Sequence, residues 1–401
     1  MPPTAASQKR LFAQSTHQPV NFEALHHELR KLTTMQIRET RMLAGQVLVA
    51  GFGGAVAPEP LVRWCADGEL GGIILFRRNL GSVHDVASLI ARFTDAAPTD
   101  RPLLVSVDQE GGRVARLGDP VLRLPPMRVL GAINDPILTE RAGVILGRQL
   151  SALGFNMDFA PVLDVDSNPE NPVIGDRSFG TSPERVIAHG LAFARGLAQG
   201  GVLSCGKHFP GHGDTDLDSH LALPLLGHPR ERLDAIELAP FRAAAEAKLP
   251  AIMTAHVVFQ ALAQGTPATL ARQVVTTLLR EELDFSGVVV SDDLEMRAIA
   301  DHYGVEQAAC LSIEAGCDAL LICSKPEWVE RAKSALAERA ASDAGFRARL
   351  EDAASRFVKL RAQCVARPET DPERLVQRLD AEAAGALTRE IDARRAQLDA
   401  P

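Results

Sequence analysis

The chain has 401 residues, which is long for one ordinary domain, and hydrophobic residues make up 46% of it, enough for a large core. Its net charge of −8 argues against nucleic acid or an anionic membrane as the main partner. No apolar run is long enough to span a bilayer, and the polar N-terminus lacks the apolar segment of a secretory signal. The six scattered cysteines form no Cys-x-x-Cys pair, so we expect reduced thiols in a cytoplasmic protein.

The N-terminal residues 1–35 are polar and irregular, and they predict a tail with one helix at Phe22–Leu32. Short apolar or β-branched runs then recur along the chain and predict strands. These runs are Val47–Ala50, Gly72–Leu75, Leu103–Val107, Asn156–Phe159, Leu203–Gly206, Ala251–Thr254, Val288–Ser291 and Ala319–Ile322.

Stretches with helical spacing separate these runs. Leu138–Leu153 places its apolar residues on one face, and Ser182 followed by proline predicts the N-cap of a helix over Val186–Ala198. Arg230–Lys248 and Val305–Gly316 show similar patterns.

Eight short, continuously apolar strands that alternate with helices are typical of parallel strands buried on both faces. We therefore predict an α/β fold, a single (β/α)8 TIM-type barrel over residues 36–330. The remaining residues, 331–401, are rich in Ala, Arg, Glu and Leu and predict helices packed on the barrel. The pattern indicates no second folded domain and no internal repeat.

Polar residues cluster where five of these strands end. The third strand is followed by Asp108 and Glu110, and the fourth by Asp158 and Asp164. The fifth leads into a polar segment at Lys207–His220, the sixth ends near His256, and the seventh ends at Ser291–Met296. Active sites of such barrels lie at the carboxyl ends of the strands, so we expect these side chains to meet at one mouth.

Asp292 directly follows the seventh strand, and two interpretations compete for it. An acid at a strand end faces the mouth of the barrel and is available for catalysis. Asp is also a favoured N-cap, and Asp292 alone fits either role. Asp293 suits the cap of the following helix better, which leaves Asp292 for chemistry.

The segment His208–His220 allows three interpretations. His208, His212 and His220 with neighbouring carboxylates offer zinc ligands. Alternatively, His220 is a proton shuttle that Asp218 orients, or the segment is ordinary loop structure. A calcium loop is excluded, because Ser219 stands where such a loop needs glycine and Leu225 where it needs glutamate.

Four motifs of the sequence resemble those of a known family. The strings KHFPGHGDTDLDSH (Lys207–His220) and SDDLEM (Ser291–Met296) are similar to those of glycoside hydrolase family 3, in its bacterial β-N-acetylhexosaminidase branch. DQEGGRVAR (Asp108–Arg116) and the arginine of GDRSFG, Arg177, also resemble that branch. The similarity runs from about residue 40 to 325 in the same order.

The resemblance implies a retaining, exo-acting enzyme that removes a terminal N-acetylglucosamine, with Asp292 as the nucleophile. His220 would be the general acid/base, with Asp218 orienting it. The residues implied in sugar binding are Asp108, Arg116, Arg177, Lys207 and His208. The family further implies muropeptides as substrates in cytoplasmic cell-wall recycling, and we expect no cofactor and no metal.

Three alternatives remain beside this interpretation. The first is the same fold and mechanism on another sugar, such as a β-glucosidase, because the N-acetyl preference comes only from the resemblance. The second is a zinc-dependent barrel hydrolase that uses the histidines of the polar segment. The third is a sugar-binding barrel without catalysis, although a binding protein needs neither Asp292 nor the Asp218–His220 pair.

Overall fold

The structure is a computed structural model that describes residues 38–219 and 223–398. The barrel lies within Thr40–Pro401. The helix predicted at Phe22–Leu32 lies outside the described residues.

Within the described residues, eight parallel strands close into a barrel in which each strand pairs with its neighbours in sequence and the first pairs with the last. The strands are β1 Leu48–Ala50, β2 Gly72–Leu75, β3 Leu104–Val107, β4 Met157–Asp158, β5 Leu203–Phe209, β6 Ala251–Thr254, β7 Val288–Asp293 and β8 Ala319–Ile322. This arrangement confirms the predicted single (β/α)8 TIM-type barrel. Residues on both faces of the strands are buried, as in β2, where Ile74 joins the barrel interior while Ile73 and Leu75 pack under the helices.

Helices connect the strands and continue beyond the last one. They are α1 Glu59–Ala66, α2 Val83–Thr94, α3 Met127–Ile133, α4 Pro136–Leu153, α5 Pro183–Gln199, α6 Arg230–Ala235, α7 Ala239–Glu246, α8 Arg297–Ala300, α9 Val305–Ala315, α10 Pro326–Ser342, α11 Ala344–Gln363, α12 Pro372–Leu379 and α13 Ala381–Leu398. A π-helical segment, Gln273–Glu282, lies between β6 and β7, where the N–H of Leu283 donates to the carbonyl of Leu278. Short antiparallel strands at Gln109–Gly111 and Val114–Ala115 form a ribbon after β3.

Local sequence explains where several helices begin and end. The Ser182 side chain accepts the Arg185 N–H at the start of α5, as predicted, with Pro183 in the first turn. The single helix predicted over Arg230–Lys248 is wrong, because this stretch holds two helices. Pro240 stands in the first turn of the second one, which begins at Ala239, since a proline has no N–H to continue an existing helix but fits a first turn.

Helix α11 packs against the amino-terminal end of the barrel. Phe357 and Leu360 belong to the same buried cluster as the interior side chains of the strands. Arg361 is fully buried beside them and donates to the carbonyl of Gly71, ahead of β2, and to the side-chain oxygen of Gln46, ahead of β1. The interior is therefore filled from this end, which leaves the opposite, carboxyl end of the strands for a site.

Two further expectations concern the chain as a whole. All six cysteines are free thiols, four of them buried, as the scattered pattern predicts. No helix in the described part of the chain combines the length and the apolar character that crossing a bilayer requires.

Candidate active site

A cavity of about 340 Å³ opens at the carboxyl ends of the barrel strands. Its walls carry side chains from the ends of β2, β3, β5, β7 and β8. Among the residues singled out from the sequence, the cavity is lined by Asp108, Arg116, Arg177, Lys207, His208 and Asp292. Five predicted sugar-binding residues and the predicted nucleophile thus share one site.

Asp108 follows β3 and contacts two cations. Its Oδ1 lies 2.9 Å from the Lys207 ammonium, and its Oδ2 lies 3.3 Å from the Arg116 guanidinium. Burial alone would raise the pKa of Asp108, but the charges of Lys207 and Arg116 outweigh it and hold this pKa below its usual value. Asp108 is therefore a charged acceptor with lone pairs left for hydroxyl groups.

Glu110 shares Lys207 with Asp108 and also pairs with Arg177. Its carboxylate accepts from Arg177 Nε at 2.9 Å and from Arg177 Nη2 at 2.8 Å, and its Oε1 lies 2.6 Å from the Lys207 ammonium. Burial opposes its charge, yet Arg177 and Lys207 lower the pKa of Glu110 far below its usual value. Burial alone would lower the pKa of Lys207, but the carboxylates of Asp108 and Glu110 outweigh it and raise this pKa, so the ammonium stays charged.

His208 is held from behind by a buried carboxylate. Its Nδ1 lies 2.7 Å from Asp164 Oδ2, and the backbone N–H of His212 donates to Asp164 Oδ1 at 2.7 Å. With Nδ1 engaged by the carboxylate, the other ring nitrogen remains to contact a ligand. Burial alone would raise the pKa of Asp164, but His208 outweighs it and lowers this pKa.

The loop after β5 is tied together by one imidazole. His212 Nδ1 lies 2.7 Å from the Thr215 hydroxyl, and Nε2 lies 2.9 Å from the Ser219 hydroxyl. Asn171 donates to the carbonyls of His212 and Thr215. Asp218 lies half-buried in this loop, and His220, the predicted acid/base, falls outside the described residues.

Asp292 stands near the end of β7, half-buried in the wall of the cavity. Its Oδ1 accepts the N–H of Asp293 at 2.8 Å, and this hydrogen bond fixes the orientation of the Asp292 side chain. The interpretation of Asp293 as the cap of the next helix is wrong, because α8 begins only at Arg297 and its N-cap is Met296. Asp293 instead accepts the N–H groups of Glu295 and Cys323, and so ties the end of β7 to that of β8.

Several supporting residues were not assigned a role from the sequence. Glu110, Asp158, Asp164 and His256 are all buried at the strand ends. His256 Nε2 lies 3.0 Å from the carbonyl of Asp293, and Asp158 accepts the N–H of Gln109. A signal for Glu110 exists in the sequence, because residues two apart on an extended chain share a face and Glu110 is two residues after Asp108.

The zinc interpretation meets an obstacle at His212. Both of its ring nitrogens are hydrogen-bonded to hydroxyl groups, so neither is open to a metal without breaking a bond. In the described ranges, no group of three His, Cys, Asp or Glu side chains is arranged to hold a metal ion.

A barrel with clustered carboxylates and cations at the carboxyl ends of its strands has the layout of a TIM-barrel enzyme, and comparison with known proteins identifies the family. The profile of the family described as glycosyl hydrolase family 3 N terminal domain matches residues 37–360. The chain belongs to this family and is a glycoside hydrolase. The match confirms the resemblance that the motifs indicated.

Individual relatives agree with this assignment. A β-hexosaminidase of Neisseria gonorrhoeae (strain NCCP11945) is 42% identical over 271 residues, which cover 66% of this chain and 74% of that protein. A family 3 β-N-acetylglucosaminidase structure from Paenibacillus sp. str. FPU-7 shares 42% identity with a TM-score of 0.78, covering 84% of this chain and 67% of that one. The structure of native NagZ from Neisseria gonorrhoeae shares 35% identity with a TM-score of 0.73, covering 88% of this chain and 98% of that one.

Proposed function

We propose that this chain is a retaining, exo-acting β-N-acetylglucosaminidase that works by double displacement, with Asp292 as the nucleophile. The observation that carries the proposal is the position of the Asp292 carboxylate in the same cavity as the Asp108–Lys207 pair. The names of the relatives from Neisseria and Paenibacillus support the choice of sugar.

In the first step Asp292 attacks the anomeric carbon and forms a covalent glycosyl-enzyme, while the glycosidic oxygen leaves with a proton from His220. In the second step His220 takes a proton from water, whose oxygen attacks the same carbon and releases Asp292. Two inversions return the β-configuration. The hydrogen bond from the N–H of Asp293 to Asp292 Oδ1 holds the carboxylate that we propose as the nucleophile.

The role of His220 rests on the family resemblance and on its chemistry. Imidazole has an unperturbed pKa of about 6.5, so it exchanges protons near neutral pH without the burial that a carboxylic acid needs. Asp218, half-buried two residues earlier in the loop, is the group we propose to orient the ring and favour its charged form.

The remaining cavity groups fit the recognition of a sugar at a chain end. Lys207 uses two of its protons on Asp108 and Glu110, which leaves one donor for a hydroxyl. Arg177, Arg116 and His208 add donors, and Asp108 adds an acceptor. The packed barrel interior closes the inner end of the cavity, so a terminal sugar fits and a continuing chain does not.

For the natural substrate we propose muropeptides, which would place the enzyme in cell-wall recycling. A β-glucosidase of the same mechanism is the second candidate. Comparing aryl N-acetylglucosaminide with aryl glucoside distinguishes the two, and the disaccharide of N-acetylglucosamine and anhydro-N-acetylmuramic acid tests the muropeptide assignment. If the glucoside has the higher kcat/KM, the N-acetylglucosaminidase proposal fails.

Two substitutions test the mechanism. Asp292→Ala is expected to abolish turnover and leave the circular dichroism spectrum unchanged. His220→Ala is expected to slow substrates with poor leaving groups far more than activated aryl glycosides, because only the former need a proton on the departing oxygen. Equal losses on both kinds of substrate would remove His220 from the acid role.

A further inference from the structure

Ser219 connects the two sides of the site. Its hydroxyl lies 2.9 Å from Nε2 of His212, a residue at the beginning of the loop after β5. Its carbonyl accepts the N–H of Ala298 at 3.3 Å, in the helix α8 that follows the strand of Asp292. We propose that Ser219 is a positioning residue that, held by His212, fixes the acid/base residue relative to the nucleophile. This inference rests on the proposed role of His220.

The hydrogen-bond inventory determines the direction of the bond between His212 and Ser219. The single hydroxyl proton of Thr215 donates to the carbonyl of His212 at 3.1 Å, so Thr215 Oγ1 accepts from His212 Nδ1–H. With the proton on Nδ1, Nε2 accepts the Ser219 hydroxyl proton. Burial lowers the pKa of His212 to about 4, and the neighbouring His208 acts in the same direction, so the ring is neutral at working pH.

Both partners are shielded from water, which competes for such bonds when they are exposed. His212 is 1% exposed and Ser219 is 2% exposed. Asn171 fixes the rest of the loop through the carbonyls of His212 and Thr215, each at 2.9 Å. The loop from His212 to Ser219 is therefore tied at its beginning, its middle and its end.

Residue 220 follows directly in the chain, and consecutive Cα atoms lie only about 3.8 Å apart across a trans peptide. Fixing Ser219 therefore restricts where the imidazole of His220 can reach. Asp218, the proposed orienting carboxylate, precedes Ser219 and is restricted in the same way. Ser219 also lines the cavity, but its hydroxyl proton is used on His212 Nε2, so the proposed effect is exerted through these neighbours and not through a bond donated to the sugar.

The test is Ser219→Ala, measured as kcat/KM on a series of aryl N-acetylglucosaminides whose phenols differ in pKa. Losing one buried hydrogen bond is expected to lower kcat/KM roughly three- to tenfold for the poorest leaving groups. Activated substrates, which need little proton transfer, should stay within about twofold of the parent. Ser219→Thr keeps the hydroxyl and is expected to restore the parent's dependence on the leaving group.

The chain offers a matched control in Thr139, whose hydroxyl lies 2.8 Å from Nδ1 of the buried His189. This pair joins α4 and α5 on the outside of the barrel. Thr139→Val removes the same kind of bond without touching the loop, so its loss of stability is expected to leave the leaving-group dependence unchanged.

His220→Ala and Ser219→Ala together give three distinguishable results. In one result, the dependence of kcat/KM on the pKa of the leaving group becomes steeper in His220→Ala but not in Ser219→Ala, and Ser219→Ala loses stability as Thr139→Val does. The bond between Ser219 and His212 then only supports the fold, and the inference is overturned. No steeper dependence in His220→Ala refutes the acid/base assignment itself. A steeper dependence in both variants, restored by Ser219→Thr, supports the positioning role.

Discussion

Replacing Glu110 by glutamine tests how the cavity holds its cations. The side chain of Glu110 is 1% exposed and that of Arg177 is 10% exposed, and Glu110 is also 2.6 Å from Lys207. Removing one partner of such a buried pair costs about 3–5 kcal/mol, because the other charge is left uncompensated. Glutamine keeps the shape and one acceptor oxygen, so we expect a loss of about 3 kcal/mol in the free energy of unfolding, measured by urea denaturation at pH 7.

The same variant should also bind substrate less well. Arg177 and Lys207 lose the carboxylate that orients them, so KM is expected to rise more than kcat falls. Because folding lowers the pKa of Glu110, its stabilising charge is present above the unfolded value of about 4.3 and is lost as the pH falls through the folded value. The stability gap between parent and variant should therefore shrink in strong acid.

The control for this prediction is Glu59→Gln, which breaks the surface pair between Arg92 and Glu59, whose side chains are 54% and 69% exposed. Exposed pairs contribute about 0–1 kcal/mol, so this variant should unfold at nearly the parent's urea midpoint. If Glu110→Gln lost no more stability than Glu59→Gln and kept the parent's KM, the buried-clamp reasoning would be refuted.

Three further predictions concern groups away from the nucleophile. Burial raises the pKa of Asp158 to about 7, against the opposing hydrogen bond from Gln109. The stability that the neutral carboxyl of Asp158 contributes is therefore present below the unfolded pKa of about 3.9 and is lost as the pH rises through 7. The free energy of unfolding of Asp158→Asn, measured with urea, should rise relative to that of the parent between pH 5 and pH 8. If the difference between the two proteins is the same at both pH values, the prediction is wrong. Arg361→Ala should lower the free energy of unfolding by roughly 3 kcal/mol in urea denaturation, because two buried acceptors lose their donor, while kcat is retained; a loss under 1 kcal/mol is inconsistent with that burial. A chelator such as EDTA should leave turnover unchanged, since hydroxyl groups occupy both ring nitrogens of His212, whereas a loss restored by added zinc supports the zinc hydrolase.

Periodicity predicted the barrel well because each strand is short, apolar and separated from the next by a helix. The predicted runs at Gly72–Leu75, Ala251–Thr254 and Ala319–Ile322 coincide with observed strands. The seventh strand continues past Ser291 to Asp293, because polar side chains at a barrel mouth can stay in strand geometry without a buried environment. Composition therefore located the core of each strand better than its polar end.

The supporting residues of the site were harder to predict than the residues that line it. Glu110 and Asp164 are defined by their partners Arg177 and His208, which lie far away in sequence and are brought together by the pairing of neighbouring barrel strands. The hydrogen bonds of His212 depend on how the loop folds back to Ser219, and spacing alone left zinc binding open there. Such roles follow from tertiary contacts and not from local pattern.

The central claim is that the carboxylate of Asp292 forms a covalent bond to the sugar. Incubation with a 5-fluoro N-acetylglucosaminyl fluoride, followed by proteolysis and mass spectrometry of the labelled peptide, tests it directly. We predict one sugar per chain, attached at Asp292 within Val288–Asp293, and no label in Asp292→Ala. A sugar attached to another residue, or turnover with inversion and no covalent intermediate, would contradict it.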